Sequence, residues 1–188
     1  MSEFEFISVF VSIVVAFAMA ELLMGWGRMI RSYHDVKRPL FFIGWTLWLL
    51  LMMAFHYLGI WEYQAMKFHT VGQLVLMLLP PICLVLLTFI LAPERSRGQP
   101  IDLEVHYFDV KNWFFGLAIL FLVLGWVADA MLPDFADTWR SRIVLPFLII
   151  ATMGLVMLTK NRKLHVFVMV FNVWYLIVGS VFQNVRGF

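Results

Sequence analysis

Glu21 is a carboxylate inside a long apolar run, Ile7–Ile30, and so is the side chain best placed to do chemistry at membrane depth. Leaving its charge unpaired in hydrocarbon costs about 2.5–3.5 kcal/mol on insertion scales, so it must face protein, a water-filled cavity or a proton. Nine residues separate it from Ile30, which at 1.5 Å per residue is roughly 14 Å of depth, close to the midplane. Ala18, Glu21, Gly25 and Arg28 share one helix face. Ser12, Ala16 and Ala20 form a neighbouring ridge of small residues that invites close helix contact. Such a carboxylate suits a proton relay, a cation site or a substrate contact. It suits equally a hydrogen-bonded staple between helices.

A second group lies at the opposite end of the spans. His56 and Glu62 flank the end of the second apolar run, His69 opens the third and Asp129 closes the fourth. Two imidazoles and two carboxylates at one membrane face are the ligand types of a divalent metal, but their spacing matches no compact ligand motif. Interfacial hydrogen bonding within a belt of Trp and Tyr is the competing reading. The other histidines, His34, His106 and His165, fall on the side of Ile30, so no span carries the two deep histidines of a transmembrane haem channel. Pro80 and Pro81 interrupt the third run near its middle, where absent N–H donors and ring clashes predict a kink with freed carbonyls. Asn172 could donate to such a carbonyl; Met77 and Cys83 could serve only weakly.

Enzymes with compact signatures find no support. HExxH, a P-loop, a dinucleotide fingerprint and a serine elbow are all missing from the sequence. The single cysteine, Cys83, excludes an internal disulfide and any thiolate cluster. No cofactor is expected. A net charge of +2, with its positive members at segment ends, gives nucleic acid no basic stripe to bind. His56, Glu62, His69 and Asp129 remain a reserve constellation to which no reaction is attached.

The elements that must carry these residues follow from composition. Of 188 residues, 63% are hydrophobic and 14% charged, with 19 Phe and 8 Trp. A soluble domain of this size carries roughly one-quarter charge and could not hide so much apolar surface. Apolar runs at Ile7–Ile30, Leu40–Trp61, Val71–Ala92, Trp113–Leu132, Ile143–Thr159 and Val166–Phe182 each approach the ~20 residues that cross a bilayer. The expected fold is all-α, a single polytopic bundle of six transmembrane helices over residues 1–188. The opening residues hold Glu3 and Glu5 and no cation, unlike a secretory leader, so the first run is read as a retained span.

Short polar breaks separate the spans: Arg31–Pro39, Ala92–Pro100 with Gly98, and Pro133–Thr138, where Asp137 or Thr138 is a candidate cap. Leu103–Asn112 reads either as an interfacial helix or as a polar first turn of the fourth span. Cations gather on alternate connections. One side holds Arg28, Arg31, Lys37, Arg38, Arg95, Arg97, Lys111, Lys160, Arg162 and Lys163; the other holds Lys67, Arg140, Arg142 and Arg186. The positive-inside rule then puts the first side in the cytoplasm and both termini outside. Three spans on either side of Pro93–Pro100 would make the second half inverted relative to the first, an arrangement used for alternating access.

The stretches AFAMAELLMGWGRMI (16–30), LLPPICLVLLTFILAPE (78–94) and HYFDVKNWFFGLA (106–118) resemble those of small bacterial multi-pass proteins that carry no assigned activity. The resemblance implies a bacterial inner-membrane protein and brings no functional residues with it. Two functions compete. The scarcity of polar groups favours a structural or regulatory accessory subunit, whose partners are the lipid bilayer and a second copy or another membrane protein. The alternative is permeation of a proton, small cation or small solute, using Glu21 as a midplane carboxylate.

Overall fold

The computed structural model describes residues 3–31, 34, 36–64, 66, 68–92, 101–132 and 135–182, the side chains of 136–145 and 179–182 excepted. Lys67, Arg95, Arg97, Arg186 and the prolines and glycine of the 93–100 and 133–134 breaks lie outside the described residues, as do the side chains of Asp137, Thr138, Arg140 and Arg142. Six helices follow one another: α1 (Glu3–Arg31), α2 (Leu40–Gly59), α3 (Val71–Leu91), α4 (Leu103–Asp129), α5 (Phe135–Met157) and α6 (Arg162–Phe182). A 3-10 turn, Ile60–Tyr63, extends α2. Two short strands, β1 (Val36–Lys37) and β2 (Ile101–Asp102), pair in parallel, Val36 with Ile101 and Lys37 with Asp102.

Local chemistry accounts for the helix ends. Glu3 and Glu5 in the first turn of α1, with Arg28 and Arg31 in its last, oppose the helix dipole. Pro39 precedes α2, where a missing N–H is no loss, and its carbonyl accepts from Ile43 N at 2.9 Å. A capping box opens α3: Thr70 Oγ1 accepts from Gln73 N, and Gln73 Oε1 accepts from Thr70 N. Pro80 and Pro81 lie buried within α3, which continues through both to Leu91.

Packing is organised around α2. Its Phe41, Trp45, Trp48, Leu49 and Met53 are fully buried, and it touches α1, α3, α4 and α6. Helices α1 and α3 pack together, α3 lies along α4, α4 along α5, and α5 along α6. Gly44 permits the α2–α6 approach, since a Cβ there would lie 2.1 Å from Met169 Sδ. The outer faces carry large apolar side chains, among them Ile13, Phe17 and Leu23 of α1 and Phe167, Val170 and Trp174 of α6. A surface of this kind is solvated by lipid.

Helices α1, α3, α4 and α2 with its 3-10 extension are long and apolar enough to cross a membrane, whereas the described apolar part of α5, Pro146–Met157, is shorter. The fold is that of a multi-span all-α membrane protein. The helical boundaries differ from the apolar runs chiefly at α4, which begins ten residues before Trp113, so Leu103–Asn112 is the polar first part of a long helix and not a separate interfacial one.

Candidate functional site

Polar groups from four connections and helix ends meet where α2, α4 and α6 begin. Asp102, the last residue of β2, caps α4: its Oδ1 accepts from the backbone N–H of Glu104 at 3.1 Å and of Val105 at 3.3 Å. Its other oxygen receives the Arg38 guanidinium. Arg38 holds a left-handed backbone, φ 48°, which costs an L-residue about 1–2 kcal/mol. The ion pair and the β1–β2 pairing keep it there. The Arg38 hydrogen bond, reinforced by the Val105 and Glu104 N–H groups, holds the Asp102 carboxyl below the usual carboxylate range, and Asp102 in turn raises the Arg38 guanidinium.

Two residues further on, Glu104 is buried, and its Oε1 accepts from Arg162 Nε of α6 at 2.8 Å. Its second oxygen is buried with no partner among the described residues. One turn deeper, Tyr107 and His165 are joined at 2.6 Å through His165 Nδ1, and His165 Nε2 lies 3.0 Å from the carbonyl of Thr159. A carbonyl only accepts, so Nε2 carries a hydrogen; in the neutral ring Nδ1 then accepts from the Tyr107 hydroxyl. Phe41 stacks on Tyr107 at 4.4 Å, and Phe108 stands edge-on to His165 at 5.0 Å. Another turn along, buried Lys111 donates to the carbonyls of Met157 at 2.6 Å and Val156 at 3.2 Å, and to Asn112 Oδ1 at 3.1 Å. It thereby places a cation against the negative end of α5.

Glu21 stands on α1. Its Oε1 accepts from Arg28 Nη2 of the same helix at 2.9 Å, with the Glu21 side chain 15% exposed and Arg28 35%. The Ala18–Arg28 face is the inward one: Ala18 is buried, and a Cβ on Gly25 would lie 3.5 Å from the Phe42 ring. The small-residue ridge points the other way, with Ala16 and Ala20 exposed. Trp26 Nε1, donating to Thr46 Oγ1 at 2.8 Å, is the polar tie between α1 and α2 on this side.

The remaining candidates lie toward the opposite ends of the helices. His56 packs edge-on to Phe121, and its Nε2 is buried without a partner among the described residues. Asp129 accepts from the Tyr63 hydroxyl. His69 is exposed and gives its backbone N–H to Gln73 at 2.7 Å; Glu62 is exposed on the 3-10 turn. No group of three or more His, Cys, Asp or Glu able to hold a metal ion occurs among the described residues. Asn172, read as a partner for carbonyls freed in α3, instead donates to Val168 O at 2.8 Å and Thr152 Oγ1 at 3.2 Å, tying α6 to α5.

Glu104, Tyr107, Lys111, Arg162 and His165 escaped sequence reasoning as a set. The alternation of Glu104, Tyr107 and Lys111 at intervals of three and four, immediately ahead of an apolar run, was the signal that could have placed them on one helix face. Their partners in α5 and α6 lie 45 to 58 residues away in the chain. The fold and this arrangement define the class, an integral membrane bundle with a charged, partly buried network at one end. No protein-family model, curated protein or solved structure matches the chain.

Proposed function

We propose that the chain is a permeation protein that passes a proton, a small cation or a small solute across the bilayer. The observation that carries this reading is the polar network between the starts of α4 and α6, where Glu104, Lys111 and His165 are buried. Apolar residues replacing the Glu104–Arg162 pair together would avoid the desolvation cost of the buried Glu104, so that pair is better accounted for by passage than by support. An accessory subunit needs outward-facing surface and gives no reason for these buried groups. Glu21 is the candidate station nearer the midplane, held by Arg28 between transfers.

In this reading all six helices cross. The exposed apolar series Phe167, Val170, Trp174 and Ile177 on α6, and Phe147, Leu148 and Leu155 on α5, supports lipid contact for the last two. Both termini lie outside a bacterial cytoplasmic membrane, and the polar network faces the cytoplasm, as the cation bias favours. Cysteine labelling of intact cells is expected to reach residues placed at Ser2 or Gly187 and not at Lys37 or Asn161; the reverse pattern overturns the orientation.

Flux is tested in vesicles holding the purified chain, with a trapped pH dye and an imposed potential. The parent is expected to acidify or alkalinise the lumen above empty vesicles, and Glu21→Gln to fall to the empty-vesicle rate while folding normally. Full flux in E21Q removes Glu21 from the path. A parent indistinguishable from empty vesicles, for protons, alkali cations and small uncharged solutes alike, overturns permeation.

A further inference from the structure

Asn172 is fully buried and half satisfied. Both hydrogens of its amide are used, toward Val168 O and Thr152 Oγ1, while Oδ1 meets no donor. Flipping the amide does not help, because Oδ1 would then face the Val168 carbonyl, acceptor against acceptor. The orphaned oxygen is therefore a property of the site. Tyr175 follows three residues, about 4.5 Å of helix rise, further along α6, and its hydroxyl is also buried without a partner among the described residues. On α2 the indole N–H of fully buried Trp48 is a third such group.

These groups share a level of the bundle. Phe41 stands edge-on to His165, and Gly44 meets Met169, so α2 and α6 run side by side in the same direction. One turn beyond Gly44 and Met169, that register brings Trp48 level with Asn172. One supplies a donor only and the other a free acceptor, which is the pair that a bridging water satisfies. Buried polar atoms left without protein partners are where ordered water resides. Asn172 lies seven residues, about 10 Å, above His165.

We propose that the seam between α2 and α6 holds a short line of ordered water molecules, anchored at Trp48, Asn172 and Tyr175, that conducts protons toward the Tyr107–His165 pair. Each water accepts one hydrogen and passes on another, so a proton entering at one end is matched by one leaving at the other. The anchors are neutral and include no carboxylate to replace the hydration shell of a metal cation, so the line is specific for protons. Its conducting role rests on the permeation reading; its hydration does not.

Hydroxyl-radical footprinting of the chain in lipid bilayers tests the water, because bound water generates the radical where it sits. After correction for intrinsic reactivity, Trp48 and Tyr175 are expected to label above the fully buried Leu84 and Leu87 of α3, and Asn172→Val to suppress labelling at Trp48. Labelling no higher than at Leu84 and Leu87 overturns the proposal whatever the flux. In vesicles, N172V is expected to lower proton flux about fivefold, the factor for one lost hydrogen bond in a barrier, and Tyr175→Phe, which keeps the ring, to lower it in the same sense. Labelled water with undiminished proton flux in both variants overturns the conducting role. A labelled seam in a parent without flux supports the hydrated site and overturns the permeation reading instead.

Discussion

Lys111→Met is expected to lower the thermal midpoint of the purified protein by about 5–10 °C, corresponding to a loss of about 2–4 kcal/mol. Methionine keeps an unbranched apolar stem in the same space, so the change isolates the ammonium group. The Met157 carbonyl and Asn112 Oδ1 lose their donor, and the Val156 carbonyl, at the end of α5, keeps only the backbone N–H of Thr159 at 3.5 Å. The Val156 carbonyl contact is buried, so water cannot readily take the place of the lysine there. Fluorescence-monitored melting in one detergent, parent beside variant, measures the effect. An unchanged midpoint would show that α5 ends without needing the lysine.

Gly44→Val is the second large effect expected. A Cβ at this position falls 2.1 Å from Met169 Sδ and 2.8 Å from its Cγ and Cε, and valine adds two methyls beyond that. Met169 is itself buried, so it cannot swing into open space. Overpacking of this sort costs about 1–3 kcal/mol. Met169→Ala alone leaves a cavity, at about 2–5 kcal/mol. Combined, the two changes trade volume at one contact, so the double variant should be more stable than the sum of the single effects predicts by at least about 1 kcal/mol. Strict additivity would mean that α2 and α6 do not meet at this point.

The parts of the fold that could be read from sequence are those governed by neighbours in the chain. Pro39 before an apolar run marks a helix start without reference to anything distant. Glu21 stands out because its surroundings within one segment are apolar, and Arg28 on the same face is its partner two turns away. The start of α4 was obscured for the opposite reason. Glu104 and Lys111 look like connector residues until Arg162 and the end of α5 come to meet them. His165 similarly follows Lys160 and Lys163 and reads as loop, yet Tyr107 and Thr159 enclose it completely. A charge whose compensation comes from another helix leaves no local trace.

The pairing of β1 with β2 also has a consequence in time. Arg38 and Asp102 are 64 residues apart, and chains are synthesised at roughly 5–20 residues per second. The α1–α2 connection therefore emerges from the ribosome about 3–13 s before the strand that completes it. Through that interval Arg38 lacks its carboxylate and β1 its strand partner, and the first helical hairpin is held by apolar contact and the Trp26–Thr46 hydrogen bond. Slowed translation between the two strands would lengthen this stage, and a chaperone that protects nascent membrane helices would find its substrate there.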